Sequence, residues 1–271
     1  MLMRNKVVII TGSTSGIGKA LAEKFGREGA KVVISGRQLD QLHENAASMI
    51  KAGAHVHVVP ADVSKEEDCK RLIAETISKY GQIDVLINNA GISMRALFSE
   101  VSLDVIRQVM DINFWGAVYA TKYALPHLLK TQGSVAGVSS IAGKKGLPGR
   151  SGYSASKFAL EGFLETIRTE NLKNNLHVLV ACPGFTSSGI RAKSLSKDGT
   201  AQGESPRDEK SMMSAEEVAG KIYLAVKNRK RDLILTPEGK LSVFLNKFFP
   251  SWMDKVVYNH MAKEPDSPFS K

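Results

Sequence analysis

Six short runs of mostly apolar, largely β-branched residues punctuate the chain: Val7 to Ile10, Lys31 to Ser35, Val56 to Val59, Val85 to Ile87, Ser134 to Val138 and Val178 to Ala181. Runs that stay apolar instead of alternating suit strands buried on both faces, as in a parallel sheet. Between them, apolar positions recur with helical period over Gly18 to Glu28, Asp40 to Ala52, Glu66 to Tyr80, Leu103 to Lys130 and Ser154 to Asn171. A helix over Ala215 to Lys227 and a last strand over Asp232 to Leu235 come after them. Strand then helix, repeated, predicts an α/β fold: a doubly wound, parallel Rossmann-type sheet with helices on both faces, in a single domain over residues 1–239.

Two segments depart from this rhythm. Residues 187–214 are rich in Ser, Gly, Lys and acidic residues and too long for an ordinary connection, which predicts a substrate lid. Residues 240–271 form a C-terminal extension in which Leu241, Phe244, Leu245, Phe248, Phe249, Trp252, Met253, Val256, Val257 and Met261 recur at helical spacing, interrupted by Pro250. Lys240, Lys247 and Lys255 flank that stripe. Such an element packs on its own domain, forms a dimer face or lies at a membrane surface.

Composition narrows the classes. The 271 residues are 43% hydrophobic and 24% charged, ordinary for a globular chain with a full core. The net charge of +10 is spread along the sequence; only Lys227-Asn228-Arg229-Lys230-Arg231 is a tight cluster, read as a solvated helix end, so no nucleic-acid partner is expected. Cys69 and Cys182 match no metal or disulfide spacing. His55 and His57 share one strand face with no third ligand near, so no metal is expected. No run of eighteen apolar residues and no signal segment is seen, and the expectation is a cytoplasmic protein, membrane-associated if the extension binds lipid.

The chemistry begins after the first strand. Thr11-Gly12-Ser13-Thr14-Ser15-Gly16-Ile17-Gly18 opens a helix, and its glycines let backbone approach a ligand while the helix start offers free N–H groups to a pyrophosphate. Ser13, Ser15 and Ile17 are expected to contact the cofactor with Gly12, Gly16 and Gly18. The second strand ends Ile34-Ser35-Gly36-Arg37, where an NAD site carries a carboxylate for the ribose hydroxyls. A guanidinium suits a 2′-phosphate, so Arg37 predicts NADP(H). Asp40, the nearest acid, sits where the next helix would use an N-cap. Asp62 follows the third strand, where its carboxylate can accept from an adenine amino group or cap the next helix, although Ser64 is the better cap. Asn89, Ala90 and Gly91 end the fourth strand at the same edge, small enough for close approach of a ribose. Tyr153 and Lys157, four apart on a helix, face the same way, and the ammonium would lower the phenol's pKa toward acid/base work.

In this order the motifs resemble the main branch of the short-chain dehydrogenase/reductase family, from Val7 to about Thr186. The resemblance adds Val63 beside Asp62, assigns Asn113, Ser140, Tyr153 and Lys157 to a catalytic tetrad, and makes Pro183-Gly184 the nicotinamide-side turn. It selects Ser140 over Ser139 by the spacing to the tyrosine, with the serine stabilising the developing alkoxide. It implies that Asn113 anchors a water linked to the lysine, that Tyr153 and Lys157 also bind the cofactor, and that Thr186 and Ser188 contact the carboxamide. The expected activity is reversible hydride transfer between NADP(H) and a small-molecule carbonyl/secondary alcohol pair, apolar by the character of lid and tail, in a homo-oligomer, dimer or tetramer. The alternatives are an idle NADPH-binding regulator and a membrane-surface interaction protein on the same fold.

Overall fold

The computed structural model describes residues 3–205, 212–265 and 267–269. Seven parallel strands form the central sheet: β1 (Val7–Thr11), β2 (Lys31–Ser35), β3 (His55–Val58), β4 (Val85–Asn88), β5 (Ser134–Val138), β6 (His177–Cys182) and a last strand, Asp232–Ile234. Two short strands precede that last one, β7 (Thr186–Ser187) and β8 (Met213–Ser214), which pair with each other, so it is β9. The order across the sheet is β3-β2-β1-β4-β5-β6-β9. The order reverses between β1 and β4, so the connections leaving these two strands open to opposite faces, and a crevice forms at their carboxyl ends.

The crossovers are the predicted helices: α1 (Gly16–Arg27), α2 (Leu39–Lys51), α3 (Glu66–Tyr80), α4 (Leu103–Met110), α5 (Gly116–Thr131), α6 (Ser151–Glu170) and α7 (Ala215–Lys227). Alternate strand residues point to opposite faces. Val8 and Ile10 pack with Leu21, Phe25, Leu42, Ile222 and Val226 from α1, α2 and α7, while Val7 and Ile9 pack with Leu72, Ala124, Leu160 and Leu164 from α3, α5 and α6. A third cluster, Met94, Ala96, Val101, Val105, Val109 and Leu195, lies beside Tyr153 beyond the carboxyl edge of the sheet.

The structure corrects several expectations. The helix expected over Leu103 to Lys130 is broken by a π turn, Asp111–Trp115, between α4 and α5. Ser64 does not cap α3, whose N-cap position is Lys65; its hydroxyl instead donates to Asp62 Oδ1 at 2.8 Å. Asp40 lies in the first turn of α2, one residue past its start, with Gln38 in the cap position. The basic cluster does lie at the end of α7 and is mostly exposed, with Arg229 donating to the carbonyls of Gln132 and Asn175 and Arg231 pairing with Glu165 at 2.8 Å.

Of the 187–214 segment, residues 206–211 lie outside the described residues. Its first part docks on the loop after β4: Arg95 N–H donates to Leu195 O at 2.8 Å and Leu195 N–H to Ser93 O at 2.9 Å. The extension forms α8 (Pro237–Phe248) and α9 (Pro250–Ala262), with the expected interruption at Pro250. Beyond α9, Glu264 is buried against two guanidiniums, 3.0 Å from Arg150 and 3.6 Å from Arg95. No helix among the described residues is long and apolar enough to cross a membrane.

Candidate active site

The chain turns sharply after β1 because Gly12 and Gly16 adopt left-handed φ values of 65° and 54°, a conformation glycine takes without steric cost. Gly18 is needed for a different reason: a Cβ there would lie 2.1 Å from Gly12 O and 2.5 Å from Asn89 Nδ2. The turn is laced to the β4 end by Thr11 and Asn89. Thr11 Oγ1 accepts from the N–H groups of Asn89 and Ala90 at 3.0 and 3.1 Å, and Asn89 Nδ2 donates to Thr11 O and Gly12 O.

Along this edge runs a cleft of about 670 Å³. It brings together Gly12, Ser15, Gly16, Ile17, Gly18, Arg37, Asp62, Val63, Asn89, Ala90, Gly91, Ser140, Tyr153, Lys157, Pro183, Gly184, Thr186 and Ser188. The cradle fits a dinucleotide. Its backbone at Gly12, Gly16 and Gly18 is bare, and an exposed guanidinium stands at the end of β2 beside it.

Ser13 does not line the cleft. It is fully buried, and its hydroxyl donates to Ser35 O and accepts from Ser35 N–H at 2.8 Å, so it ties β1 to β2. Asn113 is likewise buried: Oδ1 accepts from Ile92 N–H at 2.8 Å, while Nδ2 donates to Ile92 O and Ser156 Oγ, each at 2.9 Å. Its amide thus pins the loop after β4 to α6 from the π turn, an irregularity that recurs at functional sites. Thr186 Oγ1 donates to Gly184 O at 3.1 Å, and Ser188 lies over Gly16, where a Cβ would meet Ser188 O at 2.7 Å.

At the other end of the cleft, Ser140 Oγ accepts from Ala142 N–H at 3.2 Å, which leaves its proton to donate, and the hydroxyl favours the ionised form of the nearby Tyr153 phenol. Lys157 Nζ donates to Val138 O at 2.9 Å and stands 5.7 Å from the centre of the Tyr153 ring. The phenol's pKa does not fall as the helical spacing suggested. Burial pushes it above its ordinary value, against the pull of the Ser140 hydroxyl and of Arg150 and Arg191. Burial also draws Lys157 down to about 8. The physical reason is that both groups sit in the same dry end of the cleft, where each charged form is disfavoured before either can help the other.

Sequence reasoning missed much of the lining, including three side chains brought in by loops. Leu147 and Arg150 come from the loop before α6. Lys193, from the 187–214 segment, reaches within 3.4 Å of Ser15 Oγ on the phosphate turn. None has a local signal, because each enters through the path of a loop. His55 is exposed and His57 stands edge-on to Tyr80, and no metal-binding group of residues occurs among those described.

Comparison with known proteins points the same way. The profile of a family described as short chain dehydrogenase matches residues 6–199. Mouse dehydrogenase/reductase SDR family member 7B is 35% identical over 274 residues, covering 99% of this chain and 85% of that protein. The Arabidopsis thaliana 11-beta-hydroxysteroid dehydrogenase-like 4A is 44% identical over 189 residues, 69% of this chain and 63% of that protein. A Burkholderia phymatum short chain dehydrogenase/reductase in complex with NAD superposes with a TM-score of 0.83 at 23% identity, covering 93% of this chain and 96% of that one. An alcohol dehydrogenase of Thermococcus sibiricus complexed with 5-hydroxy-NADP gives 0.77 at 24% identity, over 86% and 96%.

Proposed function

The chain belongs to the short-chain dehydrogenase family, an oxidoreductase family acting on alcohol and carbonyl groups, and from that premise we propose that it is an NADP(H)-dependent carbonyl reductase or alcohol dehydrogenase for an apolar substrate. The observation that carries the reading is the meeting of Ser140, Tyr153 and Lys157 at one end of a cleft whose other end is a bare-backbone phosphate cradle. A bound nicotinamide supplies the hydride. The protein's part is positioning and proton traffic. Tyr153, held protonated by burial, gives its proton to the substrate oxygen in reduction. Ser140 donates a second hydrogen bond to that oxygen as charge develops. Lys157 holds the ribose hydroxyls, and Asn113 keeps the π turn and α6 in register around them. The segment from Thr186 through Lys193 forms the lid over the cradle, and Lys193, 3.4 Å from Ser15 Oγ, would meet the phosphates of a bound dinucleotide.

The NADP(H) assignment rests on Arg37, which is exposed in the cleft at the end of β2, while Asp40 is no part of the lining. Arg37→Ala is expected to weaken NADPH binding about 10- to 100-fold and leave NADH binding unchanged, as read by quenching of protein fluorescence. Equal losses for both cofactors would remove Arg37 from the 2′-phosphate. The activity itself is tested by NADPH oxidation over a panel of steroid, lipid-like and small ketones, with NADH as control. The apolar assignment draws on the names of the relatives, which include hydroxysteroid dehydrogenases, and on Leu147, Phe185 and Ile190 in the cleft. A protein that binds NADPH and reduces no ketone in the panel would favour the idle regulator.

The extension supports a second role. Leu241, Phe244, Phe248, Phe249 and Trp252 are each more than half exposed, on α8 and the start of α9, beside Lys240, Lys247 and Lys255. Apolar side chains ringed by cations suit the surface of an anionic membrane. Phe244→Asp with Trp252→Asp is expected to cut flotation with phosphatidylserine vesicles about tenfold or more and to leave neutral vesicles unbound in either protein. If these substitutions instead turn a dimer into a monomer by light scattering with vesicle binding unaltered, the face is a subunit interface.

A further inference from the structure

One turn beyond Lys157 on α6 stands a second ionisable side chain that the proposed reaction does not use. Glu161 is 8% exposed, and every contact it makes leads to a segment that carries a reacting group. Its Oε1 accepts from Ser139 Oγ at 2.5 Å, the residue before Ser140. The same oxygen accepts from Cys182 Sγ at 3.4 Å, the residue before Pro183. Its Oε2 pairs with Lys144 Nζ at 2.6 Å, just past the short 3-10 turn (Ile141–Gly143) that follows Ser140. Fit is close enough that a Cβ on Gly143 would lie 2.3 Å from Glu161 Oε1.

We propose that Glu161 is a positioning residue of the active site: it ties the ends of β5 and β6 to the catalytic helix and supplies the negative charge that lets Lys157 stand in the dry cleft as an ammonium. The inference rests on the reading of Tyr153 and Lys157 as the reacting pair. A charged carboxylate almost removed from water is costly unless it is paired and hydrogen-bonded. Here its partners satisfy it from three directions.

Among the described residues, the surroundings of Lys157 leave Glu161, one turn along α6, as its source of negative charge. Tyr153 shares its helix and is kept neutral by burial. From the end of β5 come only the Val138 carbonyl and the hydroxyls of Ser139 and Ser140, and from the π turn the amide of Asn113. Cys182 on β6 would favour the ammonium if ionised, but burial, then Glu161, pushes that thiol far above its ordinary value. Arg150 and Arg191 act on the phenol side. Lys144 is a cation whose charge is sustained, against burial, by its bond to Glu161. Removing Glu161 therefore withdraws support from the Lys157 ammonium, whereas removing Lys144 leaves the carboxylate acting on it without a counter-ion.

The two removals have opposite signs, which a merely structural role does not produce. The full chain, labelled with 13C at the lysine ε-carbon, is titrated by NMR, with the Lys157 signal assigned by its loss in Lys157→Arg. In Glu161→Gln the Lys157 midpoint moves to lower pH, in Lys144→Gln to higher pH, and Glu161→Asp keeps the parent's value. With a ketone found by the panel and saturating NADPH, the ratio of kcat at pH 9 to kcat at pH 7 falls about tenfold in Glu161→Gln and rises in Lys144→Gln. A parent-like Lys157 midpoint in Glu161→Gln overturns the proposal, whatever its melting temperature. So does a shift of Lys144→Gln in the same direction as Glu161→Gln. If Glu161→Gln does not fold, the sign of the Lys144→Gln shift decides. Should the parent reduce no ketone at all, the proposed function fails while the titration still tests Glu161.

Discussion

Tyr153→Phe is expected to lower turnover about 10²- to 10⁴-fold while NADPH binding stays within about twofold, because the change removes one hydroxyl and no volume. The side chain keeps its place on α6, and the Lys157 bond to Val138 O does not depend on the phenol. What is lost is the proton delivered to the substrate oxygen. The wild-type pH dependence comes from the direction of the phenol's shift. A group pushed above its ordinary value stays protonated through neutrality, so reduction should hold steady there and fall only on the alkaline side. Oxidation of the alcohol needs the phenolate and should rise with pH over the same range. Stopped-flow NADPH oxidation and NADP reduction across pH measure the two limbs. Activity of Tyr153→Phe within tenfold of the parent would remove the phenol from the chemistry.

The second large effect belongs to a glycine. Gly18→Ala puts a methyl group 2.1 Å from Gly12 O and 2.5 Å from Asn89 Nδ2, and neither can retreat. Gly12 is backbone in the phosphate turn, and Asn89 is held by bonds to Thr11 O and Gly12 O. Overpacking of this kind costs about 3 kcal/mol, which for a chain of this size lowers the melting temperature by roughly 5–10 °C. The displaced turn also loses its ligand. NADPH at about 100 times its Kd stabilises the parent by about 2.7 kcal/mol, and that rise in melting temperature should vanish in the variant. Gly162→Ala, on the open face of α6 with nothing within 4 Å of its added methyl, is the control. It is expected to gain up to about 1 kcal/mol. A Gly18→Ala protein that melts and binds like its parent would show that the turn yields after all.

The inner strands β1, β2, β4, β5 and β6 and most helices were legible because burial on both faces writes a nearly unbroken apolar run, and α3 and α7 fall at the residues their periodicity predicts. The family, and the meeting of Ser140, Tyr153, Lys157 and the glycine turn along one cleft, were legible because the order of these motifs along the chain is distinctive. What escaped depends on partners far away in sequence. Nothing local to Met110-Asp111-Ile112-Asn113 announces a π turn; it is fixed by hydrogen bonds from Asn113 to Ile92 and Ser156. Ser13 looks like its neighbours in the glycine-rich turn, and only the pairing of β1 with β2 turns it inward to Ser35. Glu161 reads as an ordinary helical acid until β5 and β6 bring Ser139 and Cys182 beneath it. The fall expected for the Tyr153 phenol failed for a related reason, since helical spacing gives proximity but not the dryness of the surroundings.

Arg150, three residues before Tyr153, meets Glu264 near the far end of the chain. β1 to β6, which carry the cleft at their carboxyl ends, all precede α7, α8 and α9 in the chain. The loop that introduces α6 takes its carboxylate from beyond α9. A chain that lacks residue 264 therefore keeps Ser140, Tyr153 and Lys157 and loses the ion pair that anchors the approach to α6 from 114 residues away.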